Sequence, residues 1–94
     1  MTNTTENRKF YVLKISENIG EYEANSKILV QVKPDDLDQY VEDLLKDSWR
    51  GEADYNEEDQ VFENGEVSWY LTEAIEVKDD VAQYLIQMNI LNLL

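Results

Sequence analysis

The sequence predicts an α+β domain in which a small antiparallel sheet of about four strands carries two helices on one face, in the order β-β-α-β-β-α. Three observations lead to this prediction. Apolar residues alternate with period two in several short segments, they recur with a helical period in two others, and an Asn-Gly pair stands between two strand-like segments. We expect a single domain over residues 9–94, preceded by a flexible tail over residues 1–8.

Two strands are predicted in the first third of the chain, over residues 9–16 and 27–33. Their alternating apolar positions are Tyr11, Leu13 and Ile15 in the first strand and Ile28, Val30 and Val32 in the second. Residues 17–26 are polar and contain Gly20, so we expect an irregular connection between the two strands.

A helix is predicted to begin at Pro34 and to end before Gly51. Proline has its φ pre-set for a first helical position, and glycine can adopt the left-handed conformation that follows a helix. The apolar residues between them form one stripe at helical spacing, consisting of Leu37, Tyr40, Val41, Leu44, Leu45 and Trp49. This stripe predicts a helix packed along one side on the core.

The segment after the helix, residues 51–59, has no periodicity and five acids, so we expect a solvated loop that carries Tyr55. A hairpin follows, with Asn64-Gly65 as the two central residues of a type I′ turn. Its second arm is predicted to run from Val67 to Val77. The apolar residues of that arm share one parity: Val67, Trp69, Leu71, Ile75 and Val77.

The last element predicted is a helix capped by Asp79 or Asp80. Val81, Leu85 and Met88 mark one apolar stripe on this helix. Further apolar residues widen the stripe: Tyr84, Ile86, Ile90, Leu91 and Leu94. A helix so broadly apolar has two surfaces to cover, and we expect either a homodimer through this helix or a loose C-terminal tail.

The composition argues against an enzyme, since the chain contains neither histidine nor cysteine. These absences remove the commonest general base, every Ser-His or Cys-His arrangement and every thiolate metal site. With only three glycines a phosphate-binding loop is not expected either, and we expect no cofactor. Without cysteines, an apolar leader or a membrane-length apolar run, the sequence favours the cytoplasm.

A calcium site is suggested by the spacing of Asp54, Asn56 and Glu58, which matches positions 1, 3 and 5 of an EF-hand loop. The match fails at position 6, where Asp59 replaces the required glycine, and at position 12, where Gly65 replaces the glutamate. The sequence therefore does not predict a dedicated metal site.

The charge of the chain is concentrated in one stretch, residues 34–66, which we call the acidic band. It holds thirteen of the 21 acids against two bases, whereas the rest of the chain is nearly neutral. A dense group of carboxylates repels nucleic acid and attracts basic surfaces. We therefore expect the chain to bind a basic protein surface and not to bind nucleic acid directly.

The residues predicted to contact that partner lie on the helix, the following loop and the hairpin turn. They are Asp38, Glu42, Asp43, Asp47, Glu52, Asp54, Tyr55, Glu57, Glu58, Asp59, Glu63 and Glu66. Acids on a helix are often only its solvated face, and those of the first turn are stabilised by the helix dipole. Asp43 and Asp47 differ, because a like-charged pair at i, i+4 is destabilising and Asp47 lies at the negative end of the dipole. We therefore expect these two to serve binding rather than stability.

The helix PDDLDQYVEDLLKDSW and the loop GEADYNEED resemble, in their charge pattern, small acidic DNA-mimic inhibitors of phages and mobile elements, of the antirestriction or anti-CRISPR type. Acids one helical turn apart lie about 6 Å apart along the axis, comparable to the charge spacing of a nucleic acid. The resemblance implies a protein that blocks the nucleic-acid-binding surface of a nuclease or of a CRISPR or restriction complex. Two alternatives stay open: an immunity protein that neutralises a basic toxin, and a homo-oligomeric adaptor whose acids only solubilise it.

Overall fold

The computed structural model of the protein describes residues 8–94, so the predicted tail lies outside the described residues except for Arg8, which precedes the first strand. The strands are β1 (Lys9–Ile19), β2 (Tyr22–Val32), β3 (Asp54–Asn56), β4 (Val61–Asn64) and β5 (Val67–Val77). They form one antiparallel sheet in the order β2-β1-β5-β4-β3. The helices are α1 (Leu37–Asp43) and α2 (Asp79–Gln87).

The α+β class is confirmed, but the sheet has five strands and the element order is β-β-α-β-β-β-α. The additional strand is β3, which lies in the segment predicted as a loop. Its middle residue, Tyr55, pairs with Phe62 of β4, and the two rings pack with their centroids 4.9 Å apart. A strand of three residues is too short to show period two in a sequence, so it was not predicted.

The first two strands are longer than predicted, and the expected irregular connection between them is wrong. They form one hairpin that is paired continuously from Lys9↔Val32 to Ile19↔Tyr22. Only Gly20 and Glu21 connect them, and Gly20 has a φ of 62°. Glycine at the first central position is the requirement of a type II′ turn, and that turn allows the polar segment to continue the ladder.

The second glycine turn is shifted by one residue from its predicted position. Asn64 pairs with Val67, so the central residues are Gly65 and Glu66, and only Gly65 has a positive φ, at 65°. The turn is therefore of type II′ rather than I′. Asn64 remains in β4, where its side-chain amide donates to the carbonyls of Arg50 at 3.4 Å and Glu52 at 3.1 Å.

The predicted first helix is confirmed in extent but is not uniform. A 3₁₀ turn (Pro34–Asp36) precedes α1, and a π-helical turn (Leu44–Ser48) follows it. In that last turn Trp49 N donates to Leu44 O at 2.7 Å, and Leu45 O instead accepts a 2.7 Å bond from the Trp69 indole. The wider turn therefore anchors the helix to β5, because the Trp69 side chain replaces a backbone N–H of the helix as the donor to Leu45 O.

A bulge at Thr72 divides β5 into two halves that face opposite sides of the sheet. Ile15 pairs with Leu71 and Lys14 with Glu73, so Thr72 has no ladder partner in β1, although its hydroxyl lies 2.8 Å from that of Ser16. An extra residue reverses the alternation of side chains. The predicted single parity from Val67 to Val77 is therefore wrong.

The two helices lie on opposite faces of the sheet, not on one face as predicted. On one face the α1 stripe packs on a core that includes Leu13, Ile15 and Trp69. On the other face Ala82 and Ile86 of α2 pack against Phe10, Leu29, Val12 and Val77. The bulge is the physical reason, because it directs the first half of β5 to the α1 core and the second half to the α2 core.

The second helix begins after Lys78, and neither aspartate is its N-cap. Its buried side is marked by Ala82, whereas Val81, Tyr84 and Met88 are exposed on the outer side. Beyond the helix the chain reaches the edge of β2, where Leu94 N donates to Leu29 O at 2.8 Å. This contact holds the C-terminal segment against β2. The loose tail, which was one of the two predicted alternatives, is therefore not what the structure shows. Within residues 8–94, no helix is long and apolar enough to cross a membrane.

Candidate interaction surface

The acidic band occupies α1 and the β3-β4 edge of the sheet. Of the twelve residues predicted to contact a partner, Glu63 is half-buried and the other eleven are exposed. The nearly neutral strands β1 and β2 lie toward the opposite edge. The sheet order thus gathers residues that span a third of the chain at one side of the molecule.

The tip of the β3-β4 hairpin is acidic and has a defined shape. Asn56 Oδ1 accepts hydrogen bonds from the backbone N–H groups of Glu58 at 3.0 Å and Asp59 at 3.1 Å. Gln60 closes the turn with a φ of 57°. The side chains of Glu57 and Glu58 are exposed on this turn, so two carboxylates project from an ordered tip.

The predicted residues do not share a single face. Asp54 lies directly opposite Glu63 in the β3-β4 ladder, and Glu63 lies opposite Ser68 of β5. Their side chains are on the α2 side of the sheet, whereas Tyr55 is on the α1 side with Phe62. The acidic surface therefore wraps around the β3-β4 edge. The facing pair Asp54 and Glu63 is destabilising, because like charges directly opposite in a ladder repel.

Ion pairs within the described residues neutralise acids outside the acidic band only. Lys9 pairs with Glu76 at 3.2 Å, Lys14 with Glu73 at 3.3 Å and Arg50 with Glu17 at 2.7 Å. None of these three acids belongs to the band. Arg50 is one of the band's two bases, and its charge is committed to a glutamate of β1. The carboxylates of the band are thus left facing solvent without a cationic partner among residues 8–94.

The pair formed by Arg50 and Glu17 was not predicted. Two guanidinium nitrogens donate to the two carboxylate oxygens, at 2.7 and 2.9 Å. These bonds hold the pKa of Glu17 below its ordinary value against the opposing effect of burial. The buried Trp49 indole N–H also lowers the pKa of Glu17, although among the described residues it has no well-aligned hydrogen-bond partner. Glu17 continues the period-two series of Tyr11, Leu13 and Ile15, and that position was the sequence signal for its burial.

A groove of about 360 Å³ runs between α1 and the β3-β4 edge. Asp38 and Glu42 of α1 line one side, and Tyr55 of β3 lines the other. The floor is apolar and is formed by Val41, Leu45, Phe62 and Leu71. Three of the predicted partner-binding residues therefore converge here. Gln60, Phe62 and Tyr70 also line the groove but were not predicted, because nothing in their local sequence brings them beside α1.

Trp49 packs against the α1 core, while its ring centroid lies 6.0 Å from the Arg50 guanidinium carbon. Tyr55 is 50% exposed and so is available for contact. Comparison of the chain with protein-family models, with curated proteins and with solved structures identifies no match.

Proposed function

We propose that the chain is an acidic inhibitor that binds the basic nucleic-acid-binding surface of a nuclease or of a CRISPR or restriction complex, as a nucleic-acid mimic. One observation carries this proposal. The three ion pairs of residues 8–94 neutralise glutamates outside the acidic band, and the carboxylates of the band stay uncompensated and exposed. A charge distribution maintained against its own repulsion is suited to a cationic partner.

The arrangement of the carboxylates supports mimicry in addition to simple attraction. Asp38 and Glu42 are four residues apart on α1, about 6 Å along its axis. Asp43 and Asp47 continue the series into the π-helical turn. The ordered hairpin tip adds Glu57 and Glu58 as a second group of fixed charges. Charges on an ordered backbone can replace phosphates on a basic surface without the loss of backbone conformational entropy that a mobile acidic tail would incur.

The proposal is tested by capture of partners from a host lysate on the immobilised chain, followed by nucleic-acid competition. The captured protein should bind nucleic acid, and adding the soluble chain should displace that nucleic acid stoichiometrically. Capture should weaken steeply as salt rises, because the contacts are electrostatic. A captured protein that keeps its nucleic acid when the chain binds would exclude mimicry.

Two hairpin tips provide a matched pair of variants. The double variant E57K/E58K changes the band's tip and leaves Asp59, whose carboxylate contacts Asn56, in place. The double variant E21K/E23K makes the same charge change at the β1-β2 tip, outside the band. We expect the first to lose capture and the second to retain it, with both folded by circular dichroism. If both variants retain capture equally, the tip of the acidic band is not part of the interface.

The exposed outer side of α2 supports a second candidate, a homo-oligomeric adaptor. Val81, Tyr84, Met88 and Ile90 are between 43% and 58% exposed there. A homodimer through α2 would cover them, and its mass would rise with concentration in sedimentation velocity. The variant Y84K should abolish that rise. A monomer at every concentration would exclude the homo-oligomeric adaptor.

A further inference from the structure

The groove between α1 and the β3-β4 edge combines two properties that bear on its ligand. It has an apolar floor, formed by Val41, Leu45 and Leu71 among others, and it has carboxylates at its rim. A second groove lined by a carboxylate of the band holds only Asp43, beside Tyr40, Leu44 and Trp49. A groove with an apolar floor and two carboxylates at its rim is suited to a long side chain that is apolar along its length and charged at its end.

The charge of the rim is negative and unopposed. Asp38 and Glu42 both line the groove, and no lysine or arginine of residues 8–94 does so. Neither carboxylate takes part in an ion pair of the described residues. Among residues 8–94, the only side-chain hydrogen bond to either carboxylate is a long one, 3.4 Å, from Gln39 Nε2 to Glu42. Both groups are therefore free to accept hydrogen bonds from a cation.

The opposite wall is aromatic and held in position. The Tyr55 ring packs against Phe62 with an interplanar angle of 58° and a centroid distance of 4.9 Å, yet half of its surface stays exposed. Since β3 pairs with β4, this wall is fixed to the sheet and does not have to be ordered on binding. A fixed aromatic face is attractive to a cation that approaches over it.

We propose that this groove is a binding site for one arginine side chain of the basic partner. The planar guanidinium has five donors and stacks on aromatic rings, so it can bridge Asp38 and Glu42 while lying against Tyr55. A lysine ammonium is a compact and strongly hydrated charge that uses the aromatic wall and the pair of acceptors less well. The site selects arginine over lysine, whereas the remainder of the band attracts either. This inference rests on the proposed function, because it names the side chain through which the basic partner is anchored.

The inference is tested without the partner by an NMR titration at low salt. The probes are two capped tripeptides of equal charge, acetyl-Gly-Arg-Gly-amide and acetyl-Gly-Lys-Gly-amide. We expect the arginine peptide to bind about three- to fivefold more tightly, with amide shifts that concentrate on α1 and β3. Equal binding of both peptides, with shifts spread over all exposed acids, would overturn the inference.

Three variants separate the groove from the general charge. E42Q keeps the shape of its side chain, and Y55L keeps an apolar contact with Phe62 while removing the aromatic face. D47N makes the same charge change as E42Q at an exposed residue that does not line the groove. We expect E42Q to weaken the arginine peptide about threefold more than D47N does, and Y55L to remove the preference over lysine. Equal effects of E42Q and D47N would contradict the inference.

The two proposals fail in different ways. If E57K/E58K abolishes capture of a nucleic-acid-binding protein while the arginine and lysine peptides bind alike, the inhibitor stands and the groove is not its anchor. If the arginine preference is found but no captured protein loses its nucleic acid, the groove binds arginine and the mimicry is wrong.

Discussion

At the scale of single residues, Arg50 is the base of the acidic band that forms an ion pair within the described residues. It forms two hydrogen bonds to Glu17, whose carboxylate is almost fully buried, while its own side chain is half exposed. Removing one partner of such a pair leaves a buried charge without compensation, which costs more than the intact pair contributes. Arg50 is therefore a structural residue inside the acidic band.

The variant R50Q should be less stable than the parent at neutral pH, by about 1–3 kcal/mol, because Glu17 would remain buried and charged. The pKa of Glu17 is lowered in the folded state, chiefly by Arg50. The pair's contribution to the free energy of unfolding is therefore present above the carboxyl's unfolded pKa and is lost as pH falls through its folded pKa. Urea unfolding at neutral and acidic pH should show the difference between parent and variant shrinking on acidification. The control is K9Q, which breaks an exposed pair and should cost less than about 1 kcal/mol at either pH.

Asp54 offers the opposite case, a residue whose charge lowers stability. It faces Glu63 directly across the ladder, on a half-exposed part of the sheet. The variant D54N should raise the free energy of unfolding by about 0.2–1 kcal/mol, because it removes the repulsion between facing like charges. Chemical denaturation measures this gain. If D54N is instead destabilising, the carboxylate has a structural role that its position in the ladder does not reveal.

At the scale of secondary-structure elements, the bulge at Thr72 determines the layering of the fold. The sequence does contain the information for both cores, since Val67, Trp69 and Leu71 belong to one and Val77 belongs to the other. Ile75 pairs with Val12, which packs on that second core. What it lacks is a local signal for the extra residue, because Thr72 is a good strand former and all five apolar residues share one parity. The α1 stripe and the α+β class were predictable from periodicity alone. The opposite placement of the helices was not, because it depends on a single unpaired residue.

Deletion of Thr72 should be tolerated, because it converts the bulge into a regular ladder and keeps every apolar residue of β5 on its present face. We expect a cooperative thermal transition with a loss below about 2 kcal/mol. Deletion of Ser68 is the matched control. It shifts the side chains between the β4-β5 turn and Trp69 to the wrong face, so it should prevent cooperative unfolding. Equal damage from the two deletions would contradict the assignment of Thr72 as the extra residue.

At the scale of the whole molecule, the fold separates charge along the sheet. The neutral strands β1 and β2 lie at one edge, and the acidic strands β3 and β4 lie at the other with α1 beside them. The sequence predicted which residues form the acidic surface, because exposure follows from their position outside the apolar stripes. It did not predict that the surface wraps an edge or encloses a groove. Both features require the pairing of β3 with β4, which brings Tyr55 opposite α1 although the intervening chain has no periodic pattern.

This separation predicts that salt has opposite effects on folding and on binding. The band's carboxylates repel one another and none forms an ion pair among residues 8–94, so screening should raise the free energy of unfolding as sodium chloride rises from about 0.02 to 0.3 M. Over the same range affinity for a basic partner should fall, since the same charges provide the attraction. The two slopes are measured by urea unfolding and by a binding isotherm. Neutralising the tip in E57Q/E58Q should reduce both slopes together, because a single set of carboxylates causes them. If the variant reduces the salt dependence of stability but not that of affinity, the carboxylates that destabilise the fold are not those that contact the partner.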